Sequence, residues 1–569
     1  MATDPGQLDL VLLWHMHQPD YRDAASGRYL LPWVYLHALK DYSDMAAHAE
    51  RHAGIRCTFN FVPVLLEQLE DYVTQFDVGR IRDPLLRLLQ VADLDRIDPQ
   101  DRALILDSCF RTNHESMLQP YAHYRRLHDL FRKVDEGDRH GFEYLSGAYL
   151  ADLLTWYHLV WVGETERRSD PLFGRLMAKG AGFGHGDRLQ LFDAIGVILR
   201  RLLGRYRALA SDGRIEVSTT PYTHPLAPLM IDFQSARESL PDAPLPASPA
   251  YPGGAERVRW HLDEAITGHL RRFGIPPAGL WPAEGAVSAP LLEEVAKAGI
   301  RWSASSESVL ANSLGEPGWD QATRRSALYR PWTLEQAPGV QMLFRDERLS
   351  DLIGFEYSKW HGRDAAAHFI AELESIAREA PVGEPPLVLV ALDGENAWEY
   401  FPFNGFYFFE ELYSALEAHP FIRTRTVSEA LARPGRTAGA LPRLVAGSWV
   451  MGTMSTWIGE RDKNRAWDLL VEAKLAWDEA MAADEFTPER RFEAERQLAA
   501  CESSDWFWWL GSYNPAHAVD RFERLFRHNL RRLYELIGRR APASLDVPLS
   551  LGSGRPEAGG AMRRATPAD

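Results

Sequence analysis

The sequence predicts an α/β protein, an incomplete TIM-like (β/α)7 barrel with a helical insertion and a C-terminal helical domain. Three features predict it: seven short β-rich runs, helical patterns between several of them, and a polar cluster directly after each run. Strand–helix alternation argues for a parallel sheet. A run as apolar as LVLVAL is what a parallel strand buried on both faces looks like. Seven such runs suggest a closed barrel, whose reactive groups collect at the C-terminal strand ends.

In chain order the runs are residues 8–14 before HMHQPD, 55–61 before VP, and 214–218 before TTPYTHP. Then come 279–281 before PAEGAVS, 300–304 before SSES, 340–344 before RDERLSD and 386–392 before DGENAWEYF. Residues 289–298 and 365–378 carry helical periodicity between strands. Residues from about 98 to 210 break the rhythm and read as helices inserted between the second and third strands. From residue 465 the chain is helical again, and the tail after Arg540, rich in Pro, Gly, Ala and Ser, reads as disordered. The expected organisation is a catalytic barrel over residues 1–440, a helical region over 441–540 completing the cleft, and a disordered tail over 541–569.

The chain has 569 residues, 46% hydrophobic and 25% charged, an ordinary globular composition with room for a large domain and a smaller one. An aromatic share of 11% fits either a big core or a carbohydrate site, because sugar CH faces pack on flat rings while hydroxyls need polar partners. A net charge of −16 leaves no basic excess to neutralise phosphates, so nucleic acid is disfavoured and a neutral substrate fits. Cys57, Cys109 and Cys501 form neither a CxxC pattern nor a disulfide framework, which suits a reducing compartment. Residues 1–8 lack the basic and apolar segments of a signal peptide, and no apolar run approaches the ~20 residues of a membrane span. The expected location is cytoplasmic, without a membrane partner; oligomeric state is not legible.

Glu284 follows one apolar strand in GLWPAEG, and Asp393 follows another in VLVALDGEN. A carboxylate at the mouth of a buried strand is costly unless paired or useful. Each alone could cap a helix or bond loop amides. Two of them, each near a tryptophan (Trp281, Trp398), point to glycoside chemistry, in which one carboxylate attacks and another protonates the leaving oxygen. His15 and His17 in HMHQPD share a strand face. They could hold a metal with Asp20 or His224, donate to sugar hydroxyls, or pack as satisfied polar groups; sugar binding is preferred. The two prolines of PYTHP stiffen a loop presenting Tyr222 and His224. In SDWFWW, three Trp in four positions are too many for one buried helix face, so some of them face a cleft.

Together these stretches resemble glycoside hydrolase family 57, in particular its amylase and amylopullulanase-like members. The motifs HMHQP, TTPYTHPLAPL, LWPAEGAVS, ALDGENAWEYF and SDWFWW occur in the family's order across nearly the whole chain. The resemblance implies Glu284 as nucleophile and Asp393 as general acid/base. It implies substrate contacts from His17, Trp281, Glu395, Asp505 and Trp508, with His224 following the amylopullulanase-like form. Where the family pattern has His after the Asp of the FRD motif, this chain has Glu347. The expected chemistry is retaining cleavage of α-1,4 and, by extension, α-1,6 glucosidic bonds, without cofactor or metal. Such chemistry needs carboxyl groups about 5–5.5 Å apart, with Glu284 ionised and Asp393 protonated. A 4-α-glucanotransferase or branching enzyme would use the same two carboxylates. A metal-dependent deacetylase or mannosidase, or a glucan-binding protein without catalysis, are the remaining readings.

Overall fold

The computed structural model describes residues 7–137, 139–380, 385–483 and 486–553. Seven strands form the barrel: β1 (Leu8–Met16), β2 (Cys57–Phe61), β3 (Ile215–Thr219), β4 (Gly279–Leu280), β5 (Trp302–Ser306), β6 (Gln341–Arg345) and β7 (Leu387–Asp393). Every neighbour pairing around the ring is parallel, and β1 closes it between β2 and β7. All seven expected runs are strands, with C-terminal ends within two residues of the expected ones. Two junctions are thin. β4 meets β3 through Thr219–Leu280 alone, and β7 meets β6 through Arg345–Leu389 alone. Three short strands outside the ring were not expected: Trp332–Thr333, Ile422–Arg425 and Gly439–Ala440.

Alternation along the strands builds two cores. Val11 and Leu13, Trp281, Trp302, Ala304, Leu343, and Leu387, Leu389 and Ala391 fill the barrel lumen. The helix Val427–Leu431 plugs the bottom of this core with Val427 and Ala430. Leu10, Leu12, Trp14 and Met16 point outward into the core shared with the surrounding helices. Because side chains repeat every two residues, the inward series 11–13 leads to His15, and 387–389–391 leads to Asp393. Register places His15 opposite Asp393 on one side and Asn60 on the other. The strand pattern itself delivers polar groups to the mouth.

Between β2 and β3 the chain is helical from Pro63 onward, ending in the long helix His185–Ser211, so the helical region starts before residue 98. Helices Arg461–Ala482, Pro488–Cys501, Asp505–Trp509 and Ala516–Leu536 make up the C-terminal part. Their hinge to the barrel is a buried ion cluster. Glu502 accepts from Arg257 at 2.8 and 2.9 Å and from Tyr251, and bonds His261 Nε2 at 2.7 Å. Residues 541–553, at the start of the segment expected to be disordered, instead pack back on the last helix. Leu545 is buried, its carbonyl accepts from Arg527, and the Leu549 N–H donates to Glu523. Low-complexity composition does not forbid order where a helix flank offers partners; residues 554–569 lie outside the described residues. The three cysteines are free and buried. Among the described residues no helix is long and apolar enough to cross a membrane.

Candidate active site

A cleft of about 590 Å³ opens over the C-terminal strand ends, lined by Glu284, Asp393, His15, His17, His224, Glu395, Asp505 and Trp508 among others. Glu284 sits in the 3-10 turn Ala283–Gly285 with φ 60° and ψ 22°, a left-handed conformation costing roughly 1–2 kcal/mol for a non-glycine residue. That conformation turns the carboxyl back over the barrel. Its Oε2 accepts from Trp449 Nε1 at 3.1 Å, and its Oε1 lies 2.9 Å from Ser504 Oγ. Asp393 Oδ2 accepts from Asn396 Nδ2 at 2.8 Å. Arg345, at the end of β6, donates to the Ala391 carbonyl and stacks over the Trp449 ring at 5.2 Å.

The histidines form a stack beside this pair. His15 Nδ1 is 2.7 Å from Asn60 Oδ1, and its Nε2 is 3.0 Å from His224 Nε2. His224 Nδ1 is 2.8 Å from Ser504 Oγ, and the His17 ring stacks on His224 at 3.9 Å. His17 Nε2 is 2.8 Å from Asp505 Oδ2, while its buried Nδ1 has no partner among the described residues. One ligand atom each from His17, His224 and Asp505 lies within 4.8 Å of the others. In this arrangement those ligand atoms already bond one another, His15 or Ser504, so a cation there would have to break an existing network. Asp20 is tied to Arg22 instead.

Electrostatics reverse one expectation. Burial, then Asp505 and Asp393, push the Glu284 carboxyl up to about 8. Burial pushes Asp393 up only to about 6, because Asn396, His17 and Arg345 favour its anion. In the free site the proton therefore sits preferentially on Glu284, not on Asp393. The sequence reading considered the neighbouring charges of Asp393 and not the deeper burial of Glu284. Burial and His17 lower His15 to about 3, and burial with both neighbouring imidazoles lowers His224 far below the usual range. Glu395 is pushed well up by burial and Asp393.

Not every expected contact faces the cleft. Trp281 is fully buried at the top of the lumen core, packed edge-on to Trp449. Trp398 is buried below the floor against Trp14 and Phe409, donating to the Gly394 carbonyl. Tyr222 packs behind the wall with Val62 and Val64, and its hydroxyl donates to Glu67. These three support the wall and do not line it, because their large rings fill space that the backbone beneath the site would otherwise leave empty. Glu395 lines the cleft, yet its Oε1 accepts from the His17 backbone N–H at 3.1 Å and holds that loop. Glu347 lies off the cleft, accepting from Ser308 N–H and Oγ. In SDWFWW, Trp506, Phe507 and Trp508 are all buried in the core, and Trp508 and Trp509 also line the cleft. Trp449, Ser504, Asn60 and Arg345 were not singled out. Trp449 sits in a loop with no strand or helix pattern around it, and its signal is a long-range contact.

A sequence-family match and solved structures agree on the family and its fold. The model of Glycosyl hydrolase family 57 matches residues 11–439. A branching enzyme of that family from Thermococcus kodakaraensis, 15% identical, aligns over 93% of this chain and 90% of its own with a TM-score of 0.58. A branching enzyme from Pyrococcus horikoshii, 16% identical, aligns over 96% and 98% with a TM-score of 0.56. An α-amylase from Thermotoga maritima, 13% identical, aligns over 95% of both chains with a TM-score of 0.54. No curated protein matches the chain. With a (β/α)7 barrel, carboxyl groups at the ends of β4 and β7 in one cleft, and a family match over most of its length, the chain is a glycoside hydrolase-type enzyme and belongs to glycosyl hydrolase family 57.

Proposed function

We propose that the protein is a retaining enzyme cleaving α-1,4, and by extension α-1,6, glucosidic bonds of starch- or glycogen-type glucans. Glu284 is the nucleophile and Asp393 the general acid/base. One observation carries the reading: the two carboxyl groups rise from different strands into a single cleft that Trp449 and Trp508 also line, with the His17 Nδ1 beside them unpartnered among the described residues. A sugar ring needs that mixture of polar donors and flat apolar surface. Asp393 protonates the leaving oxygen, and Glu284 attacks the anomeric carbon to give a glycosyl ester. Asp393, now a carboxylate, takes a proton from water, which releases the sugar with retained configuration. Because the reaction needs Glu284 as an anion and Asp393 as an acid, while the free site holds its proton preferentially on Glu284, kcat/KM is expected to be highest between about 6 and about 8 and to fall on either side.

Anomer-resolved proton NMR of fresh products from maltooligosaccharides tests the mechanism. The α-anomer is expected first, and initial β-anomer refutes retention. Glu284→Gln is expected to lose at least about 10⁴-fold in kcat with a melting temperature no lower than the wild type's; undiminished turnover removes the assignment.

A second reading, transfer to another glucan hydroxyl, is supported by the aromatic lining beyond the carboxyl pair. There Trp33, Trp161, Tyr400, Trp509 and Phe522 offer a seat from which an acceptor displaces water. The matched structures include enzymes named for each kind of reaction. Products longer or more branched than the starting maltooligosaccharide identify transfer; only shorter ones identify hydrolysis.

A further inference from the structure

The direction of the hydrogen-bond chain behind Glu284 can be read from one atom that only accepts. Asn60 Nδ2 lies 2.7 Å from the Thr219 carbonyl oxygen. That fixes the amide with its nitrogen toward Thr219, so Oδ1, which only accepts, faces His15 Nδ1 and takes its hydrogen. His15 therefore carries a proton on Nδ1. The ring is neutral, since burial and His17 hold it near 3, which leaves its Nε2 a lone pair. The atom facing it, His224 Nε2, must be the N–H. His224 is held neutral in the same way, so its Nδ1 is an acceptor. Ser504 has one hydroxyl hydrogen, and His224 Nδ1 takes it. The remaining contact of Ser504 Oγ, at 2.9 Å, is Glu284 Oε1. With the hydroxyl hydrogen already directed to His224, only a proton on Oε1 makes that contact a hydrogen bond. The other carboxyl oxygen faces Trp449 Nε1–H, which only donates.

We propose that Glu284 rests as a carboxylic acid protonated on Oε1, and that Ser504 and His224, oriented by His15 and Asn60, form the relay that takes this proton inward when Glu284 must act as a carboxylate. The inference rests on Glu284 being the nucleophile. In the step, the Glu284 Oε1–H bond breaks as its proton joins Ser504 Oγ, while the Ser504 O–H proton passes to His224 Nδ1. The products are a carboxylate and an imidazolium whose Nδ1 and Oε1 are 3.9 Å apart. All contacts survive. His224 Nδ1–H then donates to Ser504 and Ser504 to Glu284, while the bonds from His224 to His15 and from His15 to Asn60 are unchanged. A chain satisfied in both states moves a proton without leaving a buried polar atom unpaired.

The surrounding charges set the balance. Asp505 and Asp393 face Glu284 and disfavour its anion, and Ser504 and Trp449 oppose them. His17 and His15 disfavour a cation on His224. Asn396, His17 and Arg345 hold Asp393 toward its anion. Substrate binding displaces water from these groups and brings the sugar's developing positive charge against Glu284, which draws the proton inward.

Nitrogen-15 NMR of histidine-labelled enzyme at neutral pH tests the resting state, with His15→Gln and His224→Gln supplying assignments. The expected result is neutral His15 protonated on Nδ1 and neutral His224 protonated on Nε2, unchanged in Glu284→Gln, whose amide N–H can replace the acid O–H. A neutral His224 protonated on Nδ1 would mean that Ser504 donates to a Glu284 carboxylate, and would overturn the proposal. Ser504→Ala is expected to lose about 100-fold in kcat on maltoheptaose, with the low-pH limb of its profile displaced. Ser504→Thr, which keeps a hydroxyl, should recover most of both. Equal kcat and equal profiles in the two variants, with matching melting temperatures, also overturn the relay. Covalent trapping of Glu284 by a fluorinated glycosyl donor tests the nucleophile by itself, so failure of that reading is told apart from failure of the relay.

Discussion

Glu502 and Glu284 are both enclosed glutamates, and Glu502 lies two residues before the serine that touches Glu284. Their protons behave oppositely. Arg257 and His261 hold the Glu502 carboxyl far below the usual carboxylate range, despite complete burial. Glu284, with carboxyl neighbours and two neutral hydrogen-bond partners, is pushed up to about 8. The lesson is that burial alone does not decide the charge of a carboxyl group; the presence of a cation does. At Glu502 the fold supplies one, and the result is a fixed joint between the barrel and the C-terminal helices. At Glu284 the fold withholds one, and the result is a group that can exchange its proton.

The harshest way to break the contrast is to take the cation from the joint. Arg257→Met leaves Glu502 buried and half-paired and is expected to cost about 3–5 kcal/mol in denaturant unfolding. Activity should fall with it, since residues 503–505 carry Ser504 and Asp505. A loss below about 1 kcal/mol would show that His261 and Tyr251 suffice.

Next in size is removal of the frustrated charge. The Glu284 pKa is raised in the folded chain, so its stability contribution is intact below about 4.5 and is lost as pH rises toward 8. Glu284→Gln is therefore expected to match the wild type in melting temperature near pH 4.5. It should exceed it increasingly up to pH 8, by on the order of a few kcal/mol. Glu502 has the opposite sign: its contribution is present above about 4.5 and lost as pH falls below it. A stability gain in Glu284→Gln that is flat with pH would contradict the difference between the two sites.

Smaller changes sharpen it. Trp449→Phe keeps the ring over Arg345 but removes the donor to Glu284 Oε2, and is expected to lower kcat about 10–100-fold, the worth of one hydrogen bond to a charged group. Tyr222→Phe, behind the wall, should lose about 1 kcal/mol of stability and leave KM within about twofold. A large KM change there would place Tyr222 in contact with substrate after all.

The barrel was legible because its physics is local. A strand buried on both faces must be apolar, and alternation then dictates that His15 and Asp393 face the lumen. Glu284 was legible for a related reason, as an acid directly beyond an apolar run. The partners of Glu284 were not. Ser504 and Trp449 lie 220 and 165 residues away, and nothing in their own neighbourhoods requires a carboxyl group opposite. Trp281, Trp398 and Tyr222 misled for the converse reason. An aromatic ring next to a catalytic residue in sequence points to the opposite side of the backbone as readily as to the substrate. The reversed proton order was hidden because burial is a property of the assembled site.

The two acid-bearing strands, β4 and β7, each touch one neighbour through a single residue pair. At those places the ladder does little to fix spacing, and side chains bridge instead: Thr220 to the Trp281 carbonyl, and Arg345 to the Ala391 carbonyl. The gap across which a glycosidic oxygen must fit is thus adjusted by replaceable struts and not by the hoop of the sheet. Lengthening or shortening one strut offers a route to widening the bite of the enzyme while the rest of the scaffold stays untouched.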